Sequence, residues 1–420
     1  MGEYGNNWRN KKVTITGGAG FLGRKLAEQL IRQGVELIIL LDVRPPSEEF
    51  LTVPIDLWRN KIQFLSCDIR DFTQVAKGIE KANDCVFHLC SFGMSGREQL
   101  DVKKVEQINI QGTKNVIDAC LSLGVSSLIY TSTTNVCFNG KVLDNKDESL
   151  PYATTFVDAY SRTKTIAEKL VIESNNKEFT NAKGTLATCS IRPAGIYGEG
   201  EERHIPRIVN LLYNHVFFFT VGPKNSLVEF VHIENLVSAH IRAAERLMKI
   251  PLSIHQNPKL NHTDYIYPDQ SNKFGENQRK VVAGQVYFIS DCHPINNFEF
   301  FRPMIEGLGY KYPIINMPTT FMFYLAWTIE IIHKLVRKFI NFQPLTRAEI
   351  YKVAVTHYFK PDKAFNELQY VPFISYKEGM DRVVNHLKIY MPPPKTSILA
   401  KLILFLSLLV LLATIILYIL

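Results

Sequence analysis

Several signals of common functional classes are missing from this sequence. Its seven cysteines (67, 85, 90, 120, 137, 189 and 292) are scattered through 420 residues, odd in number and never spaced C-x-x-C. Neither a disulfide framework nor a zinc site is expected, so the predicted metal set is none and the thiols read as reduced in a cytosol-facing protein. Met1 to Lys12 contains no apolar stretch, so no secretory signal is expected. The net charge is +8, but no run of Lys and Arg is interleaved with aromatics on one element. A solvated surface fits that charge better than a nucleic-acid footprint, and nucleic acid is not an expected partner. At 46% hydrophobic and 21% charged, the chain has material for two or three compact units.

What is present begins with a β-branched run, Lys12-Val13-Thr14-Ile15-Thr16, leading into Gly17-Gly18-Ala19-Gly20-Phe21-Leu22-Gly23 and then an apolar helical pattern through Leu26, Leu30 and Ile31. Strand, glycine turn and helix form the context of a dinucleotide fingerprint, here in the G-x-x-G-x-x-G spacing. Gly17 suits the tight turn, Gly20 a close approach of backbone to pyrophosphate, and Gly23 close packing of helix on strand. The next strand, Val35 to Leu41, ends in Asp42, placed to accept both ribose hydroxyls and to repel a 2′-phosphate. NAD is therefore expected over NADP, which Arg24 and Arg44 leave open. A third strand, Ile62 to Leu65, leads to Asp68 and Ile69, which either border the adenine or, for Asp68, cap the helix from Asp71 to Ile79.

A fourth strand, Cys85 to Leu89, is followed by Cys90 and Ser91, small enough to let the cofactor backbone pass. His88 within it reads as a hydrogen-bonded core histidine and Cys90 as a small apolar filler. One amphipathic helix is expected from about Leu100 to Leu123, carrying Asn109, Gly112 and Thr113. The fifth strand, Ser127 to Thr131, delivers Ser132, Thr133 and Thr134 at its carboxyl end, where open parallel sheets bind ligands. Strand periodicity puts Thr131 and Thr133 on one face. Tyr160-Ser161-Arg162-Thr163-Lys164 then places a phenol and an ammonium four residues apart, on one face of a helix expected from Asp158 to Ser174. A nearby Lys cation favours phenolate, and the pair reads as an acid/base whose tyrosine is acidified by its lysine.

These motifs resemble the extended short-chain dehydrogenase/reductase superfamily. Gly17 to Gly23, Thr133, the Tyr160/Lys164 pair, Asn109 to Thr113 and Arg192 to Gly198 carry the likeness. Gly93 to Leu100, Glu229 to Ile233, Tyr287 to Asp291, Asn297 to Phe301 and Leu345 to Tyr351 are similar to the 3β-hydroxysteroid dehydrogenase family, nearest its 42E branch. The resemblance implies a Rossmann-type, doubly wound α/β sheet with a smaller C-terminal substrate lobe. It implies Tyr160 as general acid/base, Lys164 as its partner and ribose contact, and Thr133 on the substrate oxygen, where many relatives have Ser. It also implies a cofactor contact at Asn109, Pro193 beside the nicotinamide, a steroid or sterol alcohol as substrate, and subunit pairing through the helical face near Asn109 and Tyr160. Nucleotide-sugar epimerases and dehydratases share this trio and remain the competing reading, with a low-turnover NAD(H)-binding scaffold as a third.

The expected domains are a polar tail at 1–11, an NAD-binding domain at 12–195, an interleaved substrate lobe at 196–394 and a tail anchor at 397–420. Leu402 to Leu420 is nineteen residues without charge, about 28 Å long as a helix, near bilayer thickness. Lys395 and Lys401 precede it, so a single-pass anchor in the endoplasmic reticulum is expected, with the catalytic domain in the cytosol and the lipid bilayer as partner. Residues 251–283 are polar and read as a mobile insertion. Residues 321–340 mix aromatic and aliphatic side chains with basic ones and read as an amphipathic helix lying at a membrane interface.

Overall fold

The computed structural model describes residues 7–46, 60–251, 281–336 and 345–392. Its central element is β1 (Lys12–Thr16), whose glycine-rich exit leads into α1 (Phe21–Arg32). There follow β2 (Leu37–Asp42), β3 (Ile62–Ser66), α2 (Phe72–Ile79) and β4 (Cys85–His88). Next come α3 (Val102–Glu106), α4 (Gly112–Leu123), β5 (Ser127–Thr131), β6 (Leu143–Lys146) and α5 (Ala159–Glu173). β7 (Ala187–Pro193) and β8 (Gly195–Tyr197) lead into the second half. That half comprises α6 (His204–Tyr213), β9 (Phe219–Val221), β10 (Phe230–His232), α7 (Ile233–Met248), β11 (Gln285–Ile289), α8 (Asn297–Phe300) and α9 (Arg302–Gly307). It ends with β12 (Ile315–Met317), α10 (Thr319–Val336), α11 (Arg347–Ala354), β13 (His357–Phe359) and α12 (Tyr376–Tyr390).

Seven strands form one parallel sheet in the order β11-β7-β5-β4-β1-β2-β3. Both faces are covered, which is why the central strands β1, β4, β5 and β7 are buried at nearly every position rather than at alternate ones. Alternate residues of β2 enter different cores: Ile38 and Leu40 pack with α1 and α7, Ile39 and Leu41 with α2, α4 and α5. The order of strands reverses between β1 and β4, leaving a crevice at their carboxyl ends. The turn after Thr16 and residues Cys90 and Ser91 line it. β11 joins this sheet from late in the chain, while α6, α8, α9 and α12 enclose a separate core around Tyr197, Phe300 and Met304.

Three expectations change. The transmembrane element of the expected fold is withdrawn: among the described residues no helix is long and apolar enough to cross a membrane, and the stretch at 397–420 lies outside them. Residues 252–280 of the expected insertion also lie outside. The single helix expected from Leu100 to Leu123 is broken by a π turn at Gln107–Gln111, which rotates Asn109 inward. Trp8, within the stretch read as a polar tail, is fully buried against Phe87 and donates its Nε1 hydrogen to Glu245 of α7 at 3.1 Å. Helix α10, within the stretch read as an interfacial helix, packs Met322 and Ala326 inward beside α11 and exposes Tyr324, Trp327, Ile331 and Ile332.

The buried Trp8 gives a stability prediction. Trp8→Ala removes an indole from the core together with its hydrogen bond to Glu245, so it should lower unfolding stability by about 3–5 kcal/mol in a denaturant titration. A change within the scatter of surface substitutions would show that the N-terminal segment is not docked.

Candidate active site

The glycine turn is built for close approach. Gly17 has φ +68°, and a Cβ there would lie 2.9 Å from the backbone N and Cα of Cys90. At Gly23 an added Cβ would fall 2.5 Å from the Gly17 carbonyl oxygen, so helix and turn touch through backbone alone. Gly20, the exposed N-cap of α1, meets only that same oxygen, at 3.2 Å. No side chain caps α1 and its first turn holds no acid, so Phe21, Leu22 and Gly23 present a helix N-terminus suited to a diphosphate. Asp42, at the end of β2, accepts hydrogen bonds from the Ala19 and Arg44 N–H groups at 3.2 and 3.3 Å, which fixes the carboxylate beside the turn. A nicotinamide dinucleotide fits this set of donors, glycines and acid.

The flanking residues divide. Asp68 does not cap α2; Asp71 does, accepting from Thr73 and Gln74, while Asp68 pairs with Arg70 at 2.5 Å. That guanidinium holds the Asp68 carboxyl below its usual range. Ile69 packs under Gly112, where an added Cβ would come within 2.4 Å of it. Cys90 lies against Gly17, and burial pushes its thiol up to about 12, so it is an uncharged filler as expected. His88 is a core residue bonded to the Thr16 and Thr113 hydroxyls at 2.7 and 2.9 Å, and burial takes it down to about 3. Asn109 clamps Phe92 through both backbone groups and also donates to the Thr163 hydroxyl, locking the segment after Ser91 onto α5. Pro193 ends β7 beside Ile289.

Helix α5 starts where its sequence dictates: Asp158 caps it by accepting the Ser161 N–H at 2.7 Å. Tyr160, Lys164 and Glu168 then share one buried face, each 4% exposed or less. Lys164 Nζ donates to the Thr131 carbonyl and lies 4.1 Å from the centre of the Tyr130 ring. Glu168 is paired with Arg192 at 2.6 Å and accepts from Ser190 at 2.8 Å. Thr131 and Thr133 do not act together. The Thr131 hydroxyl meets His240 Nε2 of α7 at 2.7 Å, whereas Thr133 leaves the strand and accepts the Asn135 N–H at 3.3 Å, its own proton free to donate.

The electrostatics depart from the expected pairing. Burial pushes the Tyr160 phenol up to about 12, opposed by the Arg203 guanidinium and a hydrogen bond from Ser91. Burial takes Lys164 down to about 7, so its own charge is the one in need of support. The cation acting on the phenol is Arg203, from the loop before α6, with Lys352 of α11 5.9 Å from the ring centre. Sequence spacing gave no sign of either. Asp158 and Glu168 were findable, as a capping residue two before the tyrosine and as the next member of its helix face. A cavity of about 600 Å³ in the C-terminal lobe, lined by Thr220, Lys224, Arg302 and Tyr312 among others, includes none of the groups around Tyr160.

Replacing Gly23 with Val should abolish cofactor binding in a fluorescence titration, because the branched side chain must enter space occupied by the Gly17 and Gly18 oxygens. Gly20→Ala, with one contact at 3.2 Å, should cost far less. Equal affinities for the two variants would contradict the geometry.

Known proteins resemble this chain over most of its length. The sequence model of the 3-beta hydroxysteroid dehydrogenase/isomerase family matches residues 14–319. The chain is 46% identical over 369 residues to short-chain dehydrogenase/reductase family 42E member 1 of Danio rerio, covering 87% of this chain and 86% of the relative. It is 32% identical over 395 residues to 3beta-hydroxysteroid-dehydrogenase/decarboxylase isoform 1 of Arabidopsis thaliana, covering 91% and 82%. Among solved structures, the dTDP-glucose 4,6-dehydratase of Streptomyces venezuelae with NAD bound shares the fold at a TM-score of 0.64 and 18% identity, covering 90% of this chain and 97% of the other. The chain therefore belongs to the 3-beta hydroxysteroid dehydrogenase/isomerase family, as a nicotinamide-dependent oxidoreductase of the short-chain dehydrogenase/reductase type.

Proposed function

We propose that this protein oxidises the 3β-hydroxyl of a steroid or sterol, with NAD as its cofactor. The observation that supports this most directly is that Lys164 Nζ reaches the Thr131 carbonyl at the carboxyl end of β5, two residues before Thr133, while Ser91 bonds the Tyr160 phenol and its neighbour Cys90 lies against Gly17. When bound, the oxidised nicotinamide supplies the hydride acceptor. Thr133 donates to the alcohol oxygen and orients it. Tyr160 as phenolate accepts the alcohol proton, and Ser91 steadies the phenolate with a hydrogen bond. Lys164 stays above the Tyr130 ring, where its ammonium is a donor that would hold the cofactor's ribose when bound. Asp42 favours the cofactor without a 2′-phosphate.

The lipophilic substrate is supported by the outer rim of the C-terminal lobe. Ile314 before β12 and Tyr324, Trp327, Ile331 and Ile332 of α10 are exposed there, apolar and aromatic side chains of the kind that sits at a lipid surface. The competing nucleotide-sugar reading rests on the shared catalytic trio and on fold likeness, and separates from this one by competition: sterols, not UDP-sugars, should inhibit turnover.

Two outcomes follow. Tyr160→Phe should lower NAD⁺ reduction with 3β-hydroxysteroids by about 10²- to 10⁴-fold, the usual weight of general acid–base catalysis; full activity in this variant would remove the assignment. The phenol lies above its ordinary value, so phenolate is scarce near neutrality and grows as pH rises. Alcohol oxidation should therefore climb through the alkaline range, while ketone reduction, which needs the protonated phenol, should stay flat there. Identical profiles in both directions would show that another group carries the proton.

A further inference from the structure

The helix carrying Tyr160 is tied to the substrate lobe immediately before the tyrosine. Asp158 Oδ1 caps α5, and Asp158 Oδ2 takes Lys352 Nζ of α11 at 2.6 Å. The pair is nearly sealed, its side chains 5% and 17% exposed. The same Nζ stands 5.9 Å from the Tyr160 ring centre, so an anion and a cation from different parts of the chain flank the phenol. α11 is itself held firmly: Thr346 and Glu349 form a reciprocal cap, Glu349 binds Arg207 at 2.7 Å, and Arg347 binds Glu330 at 2.9 Å.

We infer that Lys352 is a positioning residue for the alcohol oxidation proposed above: it cancels the Asp158 charge and fixes the first turn of α5, so that Tyr160 ionises within a usable range. The inference rests on Tyr160 being the base. Asp158 pushes the phenol up, as a carboxylate beside a developing phenolate must. Burial would also raise the Asp158 carboxyl, yet Lys352 holds it below its usual range, so the pair is ionised. The other groups facing the phenol are Ser91 after β4, Tyr130 of β5 and Arg203 before α6. His204 lies within the field of Lys352, Arg203 and Glu349. None of these is bonded to Asp158, so the charge that Lys352 balances has no other cation to balance it among the contacts described.

The two charges should therefore act on Tyr160 with opposite signs. Lys352→Met leaves an unpaired carboxylate and should move the rising limb of the kcat profile to higher pH by about one unit or more. Asp158→Asn keeps a capping side chain, removes the anion and frees the cation, so its limb should move to lower pH. The double variant should return close to the wild-type limb, and Lys352→Arg should stay near it. A pair that serves packing alone would weaken all three variants without displacements of opposite sign.

The experiment has two readouts. One is the pH profile of kcat with NAD⁺ and a 3β-hydroxysteroid. The other is an ultraviolet phenolate titration of the protein alone, taken as the difference from Tyr160→Phe, which needs neither cofactor nor substrate. Opposite displacements in the two single variants support the inference; displacements of the same sign, or none, overturn it. If the wild-type protein does not turn over steroids, the proposed function fails while the titration still decides this point. Should Lys352→Met not fold, Asp158→Asn carries the sign: a shift to lower pH supports, and an unmoved or raised titration refutes.

Discussion

Burial of one helix face governs the chemistry of this protein. α5 turns Tyr160, Lys164 and Glu168 into the interior together, and removing ionisable groups from water penalises each charged form by several kcal/mol unless a partner is supplied. The surroundings of α5 read as a set of such partners. Arg192 and Ser190 serve Glu168, which stays below its usual range despite complete burial. The Thr131 carbonyl and the Tyr130 ring serve Lys164, Lys352 serves Asp158, and Ser91 with Arg203 serves Tyr160. These partners come from β4's exit, β5, β7, the loop before α6 and α11. Helix α5 is thus the place where both parts of the fold meet.

That dependence explains which features were legible in the sequence. Elements of the cofactor-binding half rest on local signals: the glycine spacing, β-branched runs, an acid at the end of β2 and an aspartate cap before Tyr160. Strands β1 to β5 and helix α5 accordingly lie within a residue or two of their expected bounds. Such signals repeat every two or every 3.6 residues and need no tertiary partner to be read. The π turn at Gln107–Gln111 escaped because its cause is tertiary: Asn109 is drawn inward by the Phe92 backbone and Thr163, far from it in sequence.

The same reasoning accounts for the errors around the catalytic pair. A spacing of four correctly placed Tyr160 and Lys164 on one face, but proximity alone does not say which term wins. Desolvation wins, and it weakens the lysine's charge as much as it suppresses the tyrosine's ionisation. The cations that compensate, Arg203 and Lys352, are 43 and 192 residues along the chain from Tyr160 by their numbers, so no periodicity links them to it. Trp8 shows the reverse error. A polar composition around it masked one indole whose buried hydrogen bond to Glu245 attaches the N-terminal segment to α7.

On the proposed function, Tyr160 removes the proton of a lipophilic alcohol whose carbinol hydride is taken up by a nicotinamide dinucleotide, the glycine turn at Gly17 holding the diphosphate of that cofactor. Isotope transfer tests it most directly. A 3β-hydroxysteroid deuterated at its carbinol carbon is incubated with NAD⁺ and the protein, and the reduced cofactor is examined by mass spectrometry. Deuterium should appear in the cofactor with the wild-type protein and be nearly absent with Tyr160→Phe. Absence from both, or equal transfer by both, would contradict the account.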